Sequence, residues 1–235
     1  MCSCAVFLSE GLTRDGDGRV GAFGRQWGTD SEPLVVKDAG MGIFDTLFGR
    51  QKPVPVGPER LFAMSTAQIS LEVDQNLTPT GMAGLCFKGI ASGPFQQIQT
   101  ELDDMLKVAD RNDHTVTYRA FKDELGYSWL IFTSADFQSL VTTLHVASRS
   151  LLDQGYGSQL LFAIFAFKTS AARVLYWIYN YKRGTFFPFV PQSDSHDTLR
   201  RRDNPEELRL ATALNKDLPV EQEIERWYPV WDLPF

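Results

Sequence analysis

The regular pattern of hydrophobic and polar residues begins at residue 41. In the stretch 41–50 the apolar side chains recur at i, i+1, i+4 and i+5, the spacing of one face of a short helix. These side chains are Ile43, Phe44, Leu47 and Phe48. Prolines at positions 53, 55 and 58 follow, and because proline interrupts a helix, the stretch 51–58 is predicted to be an extended linker.

Amphipathic spacing predicts three longer helices in the remainder of the chain. One begins at Pro94, and a second is capped by Ser134 and stops at Gly155. The third is capped by Asp203 or Asn204. Each helix has an apolar stripe on one side, so each is expected to pack against a sheet.

The segment after the linker is ambiguous. Residues 68–73 alternate between apolar and polar side chains, which favours a strand, although a helix over 65–76 fits so short a run as well. Thr78-Pro-Thr-Gly is typical of a turn and is predicted to lead into a strand over 82–88.

Two continuous apolar runs, 160–167 and 174–181, are the strongest predicted strands. Runs that are apolar on both sides are typical of central strands covered on both faces, so both strands are placed in the middle of the sheet. The connection 168–172 is short enough for a hairpin. Further strands are predicted at 114–120, 127–133 and 185–190.

Strand pairs joined by short turns, with helices between the pairs, predict an α+β fold in which helices cover an antiparallel sheet. Residues 59–235 are assigned to a single domain, and 41–58 to its amphipathic helix and proline linker. Residues 1–40 hold seven of the eighteen glycines without any apolar period, which predicts a disordered extension. We expect Met41 to be the natural start, with a native disordered tail as the alternative.

The composition excludes several classes of protein. Apolar residues make up 43% and charged residues 22%, as in globular domains. The net charge of −6 opposes binding to nucleic acid, which requires a basic surface, and the basic run 200–202 is interpreted as a solvated helix entrance. Three cysteines make no disulfide framework, and no apolar run reaches the ~20 residues that cross a bilayer. We therefore expect a cytoplasmic protein.

The residues that usually carry catalysis or bind metals are not grouped along the chain. Histidines at 114, 145 and 196 have no metal-binding spacing, and the glycine motif at 16–21 lacks the flanking strand and helix of a dinucleotide site. We predict no catalytic residue, cofactor or metal. If the protein is instead an enzyme with an unrecognised site, the first residues to test are Glu124, His145, Lys182 and Arg183.

Two segments, 179–189 and 226–231, combine aromatic residues with cations. They are interpreted either as a strand that leaves the sheet with a tail packed on the body, or as a surface for a protein partner, since such residues dominate binding hot spots. The candidate partner-binding residues are Lys182, Arg183, Phe186, Phe187, Phe189, Trp227 and Trp231.

Four motifs together resemble one protein family. They are the segment Met41-Gly-Ile-Phe-Asp-Thr-Leu-Phe-Gly-Arg, the turn Thr78-Pro-Thr-Gly, the run Tyr181-Lys-Arg-Gly-Thr-Phe-Phe-Pro-Phe and the tail Arg226-Trp-Tyr-Pro-Val-Trp. In order and spacing they are similar to the PspA-associated PspAB family over residues 41–235. The resemblance implies a small bacterial protein, mostly actinobacterial, that is linked to the phage-shock response and to the membrane protease HtpX. The family has no established catalytic residues, so the resemblance implies none here.

With no catalytic motif recognised in the chain, the resemblance implies a non-enzymatic adaptor of the envelope-stress response that binds PspA or another protein of that system. Ile43, Phe44, Leu47 and Phe48 are predicted to dock on the inner face of the cell membrane, or alternatively on the domain itself. A client-binding module like the secretion chaperones, or an enzyme, is the alternative to the adaptor.

Overall fold

The computed structural model describes residues 58–90, 92–109, 116–192, 200–231, 233 and 235. Within them a 3₁₀ turn at Pro58–Phe62 precedes four α-helices. The helices are α1 (Ala63–Val73), α2 (Ser92–Ala109), α3 (Phe137–Asp153) and α4 (Asn204–Leu214). The strands are β1 (Thr78–Lys88), β2 (Thr117–Lys122), β3 (Tyr127–Thr133), β4 (Leu160–Lys168), β5 (Val174–Asn180), β6 (Thr185–Phe189), β7 (Pro191–Gln192) and β8 (Arg201–Arg202). The predicted extension 1–40 and linker region 41–57 lie outside the described residues.

The six longer strands form one antiparallel sheet in the spatial order β2–β3–β1–β4–β5–β6. Short hairpins join β2 to β3, β4 to β5 and β5 to β6, because antiparallel neighbours need only a tight connection. β7 and β8 form a separate two-stranded ribbon. The predicted α+β class, an antiparallel sheet covered by helices, is confirmed.

The interior position predicted for β4 and β5 is also confirmed. All residues of β4 from Leu160 to Phe167 are buried, which requires cover on both faces of the sheet because alternate side chains point to opposite sides. On one face, the ring of Phe137 from α3 lies 5.8 Å from that of Phe165. On the other face, the ring of Phe235 stacks on Tyr176 at 5.7 Å.

The C-terminal segment packs on the body, as its aromatic content predicted. Trp227 is buried, and the ring of Trp231 meets Phe189 edge to face at 5.0 Å. A Cβ atom at Gly84 would lie 3.1 Å from Cζ of Phe235, so the glycine in β1 leaves room for this ring. The tail therefore closes the sheet face opposite α3.

β6 is an edge strand, which explains how it accommodates Pro188. The segment that follows α4 protects its outer edge. The N–H of Phe186 donates to the carbonyl of Pro219, and the N–H of Glu221 donates to the carbonyl of Phe186, both at 2.8 Å. These bonds leave less free edge for another chain to pair with.

The ends of α3 and α4 follow the predicted chemistry with one displacement, whereas α2 begins at Ser92 and not at the predicted Pro94. α3 is capped by Asp136, whose carboxylate accepts from the N–H of Ser139 at 2.9 Å. The predicted cap, Ser134, is two residues too early, although its hydroxyl accepts from the N–H of Asp136. Gly155 ends α3 with φ 86°, and Asp203 caps α4, as predicted.

The preference for a strand over 68–73 is wrong, because these residues belong to α1, the alternative left open by the sequence. Leu71 faces the core, while Ile69 and Val73 face solvent. The alternation that imitates a strand therefore arises from a helix that is apolar on two opposite sides.

The turn predicted at 78–81 is also wrong, because these residues extend β1. The pairing register with β4 shifts between Pro79 and Ala83, as in a β-bulge. Gly81 has φ 82°, and its carbonyl accepts from the N–H of Ser134 at 3.0 Å. The turn-forming residues thus produce a bulge inside a strand.

The basic run 200–202 is not fully solvated as interpreted. Arg202 forms a two-point ion pair with Glu207 of α4, with Nε–Oε1 and Nη2–Oε2 distances of 3.0 and 2.8 Å. The Glu207 side chain is 2% exposed, so this contact belongs to the interior of the domain.

Candidate partner-binding surface

The turn 181–184 between β5 and β6 carries the two cations Lys182 and Arg183. Asn180 shapes this turn, because its carbonyl accepts from the N–H of Gly184 at 2.7 Å and its side chain accepts from the N–H of Lys182 at 3.0 Å. Gly184 has φ 66°, which only glycine adopts without strain. Lys182 is exposed at the tip and is available to a partner.

Arg183 is held by carboxylates of the chain itself. Its guanidinium is hydrogen-bonded to Glu221 through Nε and Nη2 and lies 3.2 Å from Oε1 of Glu223. Burial alone would raise the pKa of Glu221, but the hydrogen bonds from Arg183, the Glu223 N–H and the Thr185 hydroxyl hold the pKa below its ordinary value. Arg183 therefore anchors the segment after α4 to the β5–β6 turn.

The predicted aromatic partner residues occupy two different environments. Phe186, Phe187 and Phe189 are buried in β6. Trp227 is buried and donates from Nε1 to the carbonyl of Glu221 at 3.0 Å, whereas Trp231 is only partly buried. The buried rings belong to a strand at the edge of the sheet and to a tail packed on the body, whereas Lys182 and Trp231 retain accessible surface.

Of the residues named for an enzymatic alternative, Glu124 lies far from Lys182 and Arg183. Glu124 lies in the β2–β3 hairpin, four strand spacings or about 19 Å along the sheet from the β5–β6 turn. His145 of α3 lies against the ring of Phe62 at 4.6 Å, and its Nδ1 is 3.2 Å from the carbonyl of Pro58. A carbonyl only accepts, so Nδ1 carries the proton. Among the described residues, no group of three or more acidic, histidine or cysteine side chains could hold a metal ion.

An open polar cleft of about 400 Å³ lies beside His145, between α2 and α3. The carboxylate of Glu101 at its wall accepts from Ser150 and, at 2.9 Å, from Gln154. Arg149 at the rim pairs with Glu59 and Asp153. The polar groups of the cleft thus satisfy one another, and nothing in it resembles an activated nucleophile with its base.

A smaller groove of about 260 Å³ separates α4 from the segment 220–227. Its walls include Ala211, Val220 and Trp227, and the exposed side chains of Leu208 and Ile224 border it. Both apolar and polar side chains line the groove, which lies next to the Arg183–Glu221 ion pair.

Among the described residues, three of the six exposed large apolar side chains lie on α1 and its preceding turn. Phe62, Ile69 and Val73 are 42%, 65% and 72% exposed, and Thr66, also exposed, lies between them. These four positions follow the spacing i, i+4, i+7 and i+11, which places them in one line along the helix. We call this line the α1 stripe.

The α1 stripe is separate from the face with which α1 joins the core. Met64, Ala67 and Leu71 are fully buried, and at 100° per residue they lie on the side of the helix opposite the stripe. Single exposed apolar residues are ordinary on a protein surface, but these side chains lie in one line on a helix that already has a separate buried face.

Sequence reasoning missed this surface, although a signal for it was present. A helix that lies on a protein surface should be apolar on one side only. The apolar residues of 62–73 fit no single face, and the resulting alternation over 68–73 was interpreted as favouring a strand. Apolar residues on two opposite sides of a segment long enough for a helix were the signal that could have indicated this surface.

The other predicted docking residues, Ile43, Phe44, Leu47 and Phe48, lie outside the described residues. Among the helices that the structure does describe, none is both long enough and apolar enough to cross a bilayer.

The model of the PspAB family, described as PspA associated protein B, matches residues 41–235. No curated protein and no solved structure matches the chain.

Proposed function

The chain belongs to the PspA associated protein B family, and from this premise we propose that it is a non-enzymatic adaptor of the bacterial phage-shock response. It acts by binding a protein partner, which the family description indicates is PspA. In this proposal the protein binds other proteins and catalyses no reaction, and it acts in the cytoplasm.

The observation that carries this proposal is the α1 stripe. Removing apolar surface from water is favourable by about 25 cal/mol for each Å² that becomes buried. A partner that covers Ile69 and Val73 recovers this free energy without any rearrangement of the core. The exposed cation Lys182 is proposed as an additional contact, since charges at the border of an interface mainly speed association.

The proposal is tested by titrating the full-length chain with purified PspA in a calorimeter. We expect saturable binding with a dissociation constant in the micromolar range, as is typical of transient interfaces of small area. Lys182→Ala should slow association several-fold at low salt and leave the thermal midpoint unchanged. Absence of saturable binding would contradict the adaptor proposal.

We further propose that residues 41–50 bring the protein to the inner face of the cell membrane. Their apolar side chains lie on one side of a short predicted helix, followed by Arg50 and Lys52, which suit anionic head groups. Ten residues are too few for a stable isolated helix, so order should depend on docking.

This membrane contact predicts that anionic vesicles sediment the wild-type protein. Phe44→Asp combined with Phe48→Asp should abolish sedimentation, because charged side chains no longer enter the lipid boundary, and should not lower the thermal midpoint. Neutral phosphatidylcholine vesicles serve as the control. A large loss of stability in the double variant without any vesicle binding would instead show that the two rings pack on the domain.

A further inference from the structure

The spacing of the residues in the α1 stripe indicates which kind of secondary structure can pack against it. Residues 62, 66, 69 and 73 are separated by 4, 3 and 4 positions, which is the d–a–d–a order of a coiled-coil seam. A second helix packed with its axis nearly parallel to that of α1 would place its own side chains between the side chains of the stripe. The side chains of an extended strand or a loop do not repeat at the spacing of the stripe residues.

The electrostatics of α1 restrict the partner further. The helix and its two C-terminal neighbours contain Glu72 and Asp74, both exposed, and the segment 63–75 contains no lysine or arginine. The C-terminal end of α1 adds the partial negative charge of the helix dipole. Arg209 of α4 contacts Gln75 but is already paired with Glu206.

We propose that the α1 stripe binds one amphipathic helix of the partner, with an apolar seam bordered by lysine or arginine. This inference rests on the proposed adaptor function and names the partner element that it requires. A second copy of this chain is a poor occupant, because it would bring the same acidic border, Glu72 and Asp74, against itself.

The length of the stripe sets the expected strength of binding. From Phe62 to Val73 it extends about 16 Å along the helix, which is roughly three turns. Such a contact is smaller than a standard protein interface, so the complex is transient and its affinity depends strongly on each apolar residue.

The first experiment measures PspA binding to a variant with Ile69→Lys and Val73→Lys. Affinity should fall at least about ten-fold, because two apolar contacts are lost and lysine repels a basic border. Leu125→Lys, at an exposed leucine in the β2–β3 hairpin, is the matched control and should bind as wild type. If the double variant is less stable than wild type, Ile69→Ala with Val73→Ala replaces it. Unchanged PspA affinity in a folded variant would overturn the stripe assignment while leaving the adaptor proposal intact.

A second experiment uses a probe that does not depend on PspA. A designed three-heptad helix with leucine at a and d and lysine at e and g should bind the wild-type chain. The same peptide with glutamate at e and g should bind at least about ten-fold more weakly. Equal affinity of the two peptides would overturn the basic border. Failure of PspA binding together with selective peptide binding would remove the proposed partner and keep the stripe.

Residues 41–50 of the same chain could bind the stripe in place of a partner helix, because the predicted linker that joins them to Pro58 is short. If this segment covers the stripe, Phe44→Asp with Phe48→Asp will increase the affinity of the lysine peptide. We expect unchanged peptide affinity in that variant. A several-fold increase would identify the chain itself as the occupant and overturn the partner helix.

Discussion

Replacement of Arg202 by alanine is expected to destabilise the domain by about 3–5 kcal/mol, because it leaves the buried carboxylate of Glu207 without its countercharge. Arg202 also donates to the carbonyl of Trp227, and its guanidinium lies 5.5 Å from the ring centroid of Phe189. Glu207 in turn accepts from the N–H of Val190 at 2.8 Å. One ion pair thus connects the end of β6, α4 and the C-terminal segment.

Thermal unfolding provides the measurement, with an expected fall in midpoint of about 10 °C. Arg149→Ala is the matched control, since Arg149 forms ion pairs with Glu59 and Asp153 at the surface, where such pairs contribute about 0–1 kcal/mol. Similar midpoints for the two alanine variants would show that the Arg202–Glu207 pair does not hold the domain together.

The loss in the Arg202 variant should depend on pH. Burial raises the pKa of Glu207, and the bonds from Arg202 and the Val190 N–H only partly oppose this rise. A carboxyl whose pKa is raised by folding stabilises the folded state least when it is ionised, above that pKa. Without Arg202 the pKa rises further, so the deficit should be larger at pH 7 than at about pH 5, near the ordinary range of a glutamate pKa. Adding Glu207→Gln should recover part of the stability and remove this dependence.

Substitution of Gly81 by alanine is expected to cost about 2–4 kcal/mol. The residue has φ 82°, which costs a residue with a Cβ atom about 1–2 kcal/mol, and that Cβ would lie 2.8 Å from the carbonyl oxygen of Ser134. The oxygen belongs to the backbone just before α3, so it cannot move away as a flexible side chain could.

Chemical denaturation of the two glycine variants checks this prediction. Gly93, in α2, has no positive φ, and no atom lies within 4 Å of the place that an alanine methyl group would take. Gly93→Ala should therefore leave the unfolding free energy unchanged or raise it slightly. A Gly81→Ala variant as stable as Gly93→Ala would mean that the bulge in β1 relaxes at little cost.

Much of the fold was predictable because its main helices and strands are long enough to show clear hydrophobic patterns. α3 repeats its apolar residues at helical spacing over seventeen positions. β4 from Leu160 to Phe167 and β5 from Val174 to Tyr179 are apolar throughout, and runs of this length are typical of buried strands. Short segments carried less information. The stretches 68–73 and 78–81 each fit two structures locally, and contacts with α3 and β4 decided between them.

The candidate site was less predictable than the fold, for a physical reason. The aromatic and cationic residues of 179–189 were recognised as unusual, but composition does not tell which side of a strand faces the core. Phe186 and Phe187 point to opposite faces of β6, and both are buried because helices cover one face and the C-terminal tail lies on the other.

The amino-acid sequence by itself determined the α+β class, the central strands, the stop of α3 at Gly155, the cap of α4 at Asp203 and, through four motifs, the family. Each of these depends on residues that are neighbours along the chain. Only the tertiary structure decided that Arg202 and Arg183 are partners of buried carboxylates and that α1 exposes a second apolar side. Those properties arise between segments distant in sequence, because burial and countercharge are set by what packs against a residue and not by the residues beside it.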